Sequence, residues 1–297
     1  MLNKLNMIKN LPYKNFAKFK YLDTNKFSKR FINQNFSQNN NHNDSQNKYI
    51  MTNEQKNIGK RHFLKNIYHK TGLGIMTALT TAGCLTYLAP DFLASNSLAL
   101  PILGCIGSFG SLYFFKDKDY KVKEEYHSGT KIPVAHHSFT NKLAYATLSM
   151  SNGCMIAPAV LSATIINPLI LPTAIVLSSC TMIGASYYAL KQKNTNIESW
   201  GPTLYGTLTG MVGMGLLSLL MYPILPEFAE IWFSLDTYIG IVLFSGLTTY
   251  DTYTAIQKYD EGDYNDLSHS VSLYLNFINL FIRVAALLSK FSSNSDQ

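Results

Sequence analysis

Two stretches of this sequence, residues 97–115 and 143–190, contain no Asp, Glu, Lys or Arg. A soluble domain has no use for uncharged runs of that length, because part of every surface helix must face water. A hydrocarbon core of about 30 Å, by contrast, takes roughly twenty apolar residues per helical crossing, and only helices or closed barrels satisfy their backbone inside it. The chain therefore reads as an all-α integral membrane protein. Its mean hydropathy of only +0.02 averages this apolar body with a polar leader.

Seven apolar segments are predicted as transmembrane helices: 71–89, 97–115, 143–163, 169–190, 202–225, 232–256 and 270–289. Turns carrying Pro90, Pro168, Pro223 and Pro226 separate several of them. Lys and Arg then set the orientation. They crowd before the first segment (Lys56, Lys60, Arg61, Lys65, Lys70), in the second loop (Lys116, Lys118, Lys121, Lys123, Lys131, Lys142) and in the fourth (Lys191, Lys193), and the sixth has Lys258; the first, third and fifth loops have none. The N-terminus and even-numbered loops share one side, and an odd number of crossings puts the C-terminus on the other.

Residues 1–50 carry nine Lys and Arg against two acids, Asp23 and Asp44. Leu2, Leu5, Ile8 and Leu11 recur at near-helical spacing among Lys4, Lys9 and Lys14, which is the pattern of a mitochondrial presequence. An Asn-rich polar tract over 38–47 follows as linker. The expected organisation is presequence and linker over 1–50, a basic pre-membrane segment over 51–70, a seven-helix domain over 71–290 and a polar tail over 291–297. The positive side is then the matrix, the membrane is the mitochondrial inner membrane, and the C-terminus faces the intermembrane space. The net charge of +7 lies mostly in the leader and loops, so it is read as targeting and topology, with the lipid bilayer and not nucleic acid as partner.

Cys84, Cys105, Cys154 and Cys180 lie inside apolar segments, at spacings of neither a CxxC pair nor a zinc site, and read as small buried hydrophobes. Gly104, Gly107 and Gly110, then Gly206, Gly210, Gly213 and Gly215, read as close helix packing. His136 and His137 read as loop histidines without a function. HExxH and GxSxG motifs are absent, so no enzyme and no cofactor is expected.

The last two segments are different. Charged groups at membrane depth cost about 2.5–3.5 kcal/mol on insertion scales and so face a protein interior or a wet path. Asp251 is such a group. On the seventh segment His269, Ser272, Asn276, Asn279 and Arg283 step by 3, 4, 3 and 4 residues and share one helical face. The loop between the two segments centres near Asp263 and Tyr264, and Asp251 and Asn276 lie equally far from it. Antiparallel helices joined there hold the two at one depth, on the order of 10 Å in from the loop. Arg283, about 10 Å further along, is too far to pair directly with Asn276.

The same residues carry a family resemblance. Residues 244–252 (FSGLTTYDT) and 273–283 (LYLNFINLFIR) resemble the two closing motifs of the transmembrane Bax-inhibitor motif family. Residues 153–158 (GCMIAP), 199–201 (SWG) and 281–288 (FIRVAALL) are more similar to its mitochondrial branch, the growth-hormone-inducible transmembrane proteins. The resemblance implies a Bax-inhibitor-like bundle of seven helices with the last one central, and passage of calcium, by channel or by antiport with protons. It also implies that Asp251 is the sixth-helix member of a gate and a candidate calcium ligand. The family's second Asp is Asn276 here, so the like-charge repulsion that would let two carboxylates share a proton is missing. The competing reading is a non-transporting inner-membrane protein that supports cristae organisation or apoptosis regulation.

Overall fold

The computed structural model describes residues 51–96, 99–117, 119–127, 129–192 and 196–295. The expected presequence, the Asn-rich tract and the last two residues of the tail lie outside them. Eight α-helices follow in order: α1 (Asn53–Leu88), α2 (Pro90–Ser95), α3 (Ala99–Phe114), α4 (Phe139–Ile166), α5 (Ile170–Lys191), α6 (Trp200–Met221), α7 (Pro226–Glu261) and α8 (Asp266–Ser295). Each apolar segment read from the sequence falls on one of the seven longer helices. Five of them, α1, α4, α5, α7 and α8, are long and apolar enough to cross a membrane. Large apolar side chains stand exposed along the others too, such as Leu103, Ile106 and Phe109 on α3 and Val212, Leu216 and Leu220 on α6. Lipid is the solvent such surfaces fit.

Two features depart from the expected organisation. The basic segment over 51–70 is not separate from the first apolar segment; both belong to α1, which starts at a reciprocal cap between Thr52 and Gln55. At about 1.5 Å per residue its 36 residues span roughly 54 Å, so its basic half projects beyond a hydrocarbon core. The second loop is not irregular: β1 (Tyr120–His127) and β2 (Thr130–His137) form an antiparallel hairpin, with Tyr120 opposite His137 and Gly129 turning at φ 78°. The description all-α thus holds for the apolar body and not for this cap.

Helix α8 packs against α1, α4, α5 and α7, and α6 is held by α7. Glycines contribute unevenly. A Cβ on Gly104 or Gly107 would run into Ser151 and Met155 of α4, so these two let α3 lie close. Gly110 and the four glycines of α6 have nothing near a Cβ, and the packing expected of them is not made within the described residues. Of the cysteines, Cys154 is half-buried and the other three are exposed, so the buried reading fails for them.

Candidate functional site

Helix α7 ends where Gly262 takes the left-handed conformation at φ 92°, with the Gly262 N–H donating to Tyr259 O and the Asp263 N–H to Lys258 O. That stop reverses the chain sharply and sends α8 back beside α7. The hairpin brings Asp251 and Asn276 together. Asn276 Nδ2 donates to Asp251 Oδ2 at 2.7 Å, and the two residues are only 9% and 6% exposed. A third residue, missed in the sequence, closes the site: Tyr205 of α6 points its hydroxyl at Asp251 Oδ1 at 3.4 Å. Both carboxylate oxygens therefore face neutral donors.

The remaining members of the polar face separate. His269 sits higher on α8, edge-on to Phe63 of α1 with ring centroids 5.9 Å apart. Ser272 is partly buried and makes no hydrogen bond among the described residues. Asn279 donates from Nδ2 to Leu275 O and accepts at Oδ1 from Arg283. Arg283 forms a second centre: it pairs with Asp236 of α7 at 3.1 Å and lies over the Phe244 ring at 4.8 Å. Gly240 makes this possible, since a Cβ there would collide with the guanidinium. Asp236 lies inside the predicted segment 232–256, and no local spacing links it to Arg283, 47 residues away.

A third polar centre lies ahead of the apolar segment 270–289, under the β hairpin. Asp266 opens α8 almost fully buried; it takes Lys70 Nζ of α1 at 2.6 Å and His137 Nε2 of β2 at 2.5 Å on the same oxygen. Burial pushes its carboxyl up, but the His137 hydrogen bond and the Lys70 charge outweigh that and hold it below the ordinary value. Tyr120 donates to Asp263 Oδ1 at 2.9 Å; burial, then the Asp263 charge, raises its phenol well above the usual range. Asn265 Nδ2 donates to Asp117, and Lys56 and Lys60 both clasp Asp260 at 2.8 and 2.7 Å. His137 thus has a partner, contrary to the idle-loop reading; adjacent strand residues point oppositely, so His136 faces outward to Glu125 while His137 faces in.

No group of three His, Cys, Asp or Glu side chains is placed to hold a metal among the described residues. Around Asp251 the described hydrogen-bond partners are the Asn276 amide nitrogen and the Tyr205 hydroxyl. An apolar cavity of about 320 Å³ lies between α4, α5 and α8, lined by Val160, Leu171, Phe281 and Ala285 among others, and Asp251 does not line it.

The profile of the family described as "Bax1-I: Inhibitor of apoptosis-promoting Bax1" matches residues 60–293. The chain is 27% identical to Bax inhibitor 1 of Mus musculus over 228 residues, which cover 76% of this chain and 84% of that protein. It is 24% identical to Bax inhibitor 1 of Bos taurus over 228 residues, covering 76% and 85%. With Bax inhibitor 1 of Arabidopsis thaliana the identity is 28% over 149 residues, covering 48% and 56%. No solved structure matches the chain.

Proposed function

The chain belongs to the Bax1-I family, inhibitors of apoptosis-promoting Bax1, and from that premise we propose that it passes calcium through a seven-span helix bundle in the mitochondrial inner membrane. It is a conduit in this reading, not an enzyme. The last helix is the central one, the N-terminus lies in the matrix, and the C-terminus lies in the intermembrane space. Placement in the mitochondrial branch rests on the basic leader and on residues 153–158, 199–201 and 281–288.

The observation that carries the reading is the buried Asp251–Asn276 hydrogen bond between α7 and α8. A hydrogen bond to a charged group contributes about 1.5–3 kcal/mol, enough to latch two helices yet small against what a divalent cation supplies. In the latched state Asn276 offers Nδ2. Rotating the amide by half a turn presents its carbonyl oxygen instead, and with the Asp251 carboxylate this gives a cation two kinds of oxygen ligand. Protons enter less directly than in a two-carboxylate gate, because no second acid repels Asp251.

Calcium flux into liposomes carrying the full chain tests this. Asp251→Asn removes the acid and is expected to lower flux strongly; flux equal to the parent's would overturn the gate. The second reading, a non-transporting protein of cristae organisation or apoptosis control, is favoured by the full engagement of both Asp251 oxygens, since a satisfied pair also suits a permanent staple. Localisation has its own test. Residues 1–50 fused to a fluorescent protein are expected in mitochondria, and accumulation in the reticulum would remove the mitochondrial part of the proposal.

A further inference from the structure

The rim hairpin leaves one strand edge open. β2 packs against α1, and β1 lies on its other side. At the base of the hairpin the Ser138 N–H donates to Asp119 O, and these two residues continue the register that sets Tyr120 opposite His137. Bonded pairs alternate along an antiparallel ladder, so Asp119, Lys121, Lys123, Glu125 and His127 turn their backbone groups toward β2. Pro133 agrees with this phase: it has no N–H to give and stands opposite Glu124, at a pair that is not bonded. Tyr120, Val122, Glu124 and Tyr126 therefore turn N–H and C=O outward, and no backbone hydrogen bond meets them there among the described residues.

Such an edge is a template for another strand, and the charges on β1 say which strand fits. Its first half is basic, with Lys121 and Lys123, and its second half is acidic, with Glu124 and Glu125. A strand ordered this way is complementary to itself when reversed. Outward groups must meet outward groups, so the register moves only in steps that keep them opposed. With Glu124 on a two-fold axis, Val122 meets Tyr126 of the second copy in a bonded pair. Lys123 then meets Glu125 of the second copy in a non-bonded pair, the closer kind at about 4.5 Å between Cα atoms. Placing Lys123 on the axis sets lysine against lysine, and placing Glu125 there sets acid against acid. Lys121 and Lys123 are exposed and make no ion pair among the described residues. Glu125 accepts from His136 on Oε1 at 2.8 Å, which leaves Oε2 for a lysine, and the self-opposed Glu124 keeps Lys131 of its own chain at 3.6 Å.

We propose that the outer edge of β1 pairs antiparallel with β1 of a second copy of this chain, with Glu124 at the two-fold axis, joining the two hairpins into one continuous sheet. About six backbone hydrogen bonds form, with a Lys123–Glu125 pair on each side of the axis. His137 reaches from the sheet to Asp266 at the start of α8, so the sheet lies across the end of the bundle. A two-fold axis normal to that sheet runs along the helices, and both copies then sit in one bilayer in the same orientation. The inference rests on neither calcium passage nor mitochondrial placement.

Disulfide trapping of the full chain in liposomes tests this, with Cys84, Cys105, Cys154 and Cys180 changed to Ala. Glu124→Cys sets two thiols across the axis at about 5.5 Å between Cα atoms, inside the range a disulfide spans. Mild oxidation is expected to give several-fold more dimer than it does with Lys131→Cys, which lies on β2 away from the axis. Adding Lys123→Glu to Glu124→Cys is expected to lower the dimer yield several-fold, and adding Glu125→Lys as well to restore it. The melting temperature, expected to stay unchanged, separates lost pairing from lost folding. A yield at position 124 no higher than at position 131 overturns the pairing, whether the edge is open or covered by residues 1–50. A charge reversal that the double exchange does not rescue overturns it too.

Discussion

Asp266 and Asp251 are both nearly buried carboxylates of the α7–α8 hairpin, yet their surroundings are opposite. Asp266 lies at the capped rim between a lysine and a histidine, and Asp251 lies further into the helical body between an amide and a phenol. A buried acid fastened by a lysine and an imidazole hydrogen bond is held ionised and works as a rivet. A buried acid fastened by neutral dipoles has its hydrogen bonds satisfied, but no opposite charge stands beside it. The difference separates a charge-paired rim from an interior acid held by neutral donors alone.

The largest expected effect is at the rim. Asp266→Ala leaves His137 buried beside an unpaired lysine and is expected to cost about 3–5 kcal/mol, read from thermal unfolding in detergent. Because the folded-state pKa of Asp266 is depressed, its contribution is fully present above the ordinary carboxylate value of about 4 and is lost as pH falls through the folded value. The parent should therefore lose stability on acidification through that window more steeply than an Asp266→Asn variant. Equal slopes would mean that the rim carboxylate is not the rivet described here.

Next comes the interior pair. Asn276→Asp installs a second acid against Asp251, and the like-charge penalty is relieved by one proton. Calcium flux in this variant is expected to vary more steeply with pH than in the parent, and an identical pH profile would argue that the two side chains do not meet during passage. The smallest effect is expected from Tyr205→Phe, whose bond to Asp251 is long at 3.4 Å. About 0.5 kcal/mol of stability is at stake, measured by melting. A loss as large as that at Asp266 would erase the contrast between the two acids.

How far each acid was legible follows from where its partners lie in the chain. Asn276 is 25 residues from Asp251 across one turn, so counting outward from the loop pairs them. Lys70 and His137 are 196 and 129 residues from Asp266, and no local period connects residues so distant. Tyr205 depends on how α6 is rotated against α7, which an apolar helix with little periodicity does not announce. The hairpin over 120–137 is masked by its lysines, which mark a topology-setting loop, although Gly129 marks a turn and Tyr120, Val122, Ile132 and Val134 alternate as strands do. The α6 glycines misled for the converse reason: spacing identifies a face that allows close approach, not the neighbour that takes it.

The length of α1 bears on how this molecule registers the thickness of its bilayer. A rod of roughly 54 Å, clasped at its outer end to Asp260 and hydrogen-bonded near its middle through Thr71 to Ser270 O, has the layout of a lever arm. Tilting it by about 10° around the middle swings each end by ~5 Å, and helices tilt in this way when hydrophobic length and membrane thickness disagree. The outer swing would drag the end of α7, and with it the turn at Gly262 from which the spacing of Asp251 and Asn276 is set. Thinner and thicker membranes are therefore expected to load the same hairpin in opposite directions.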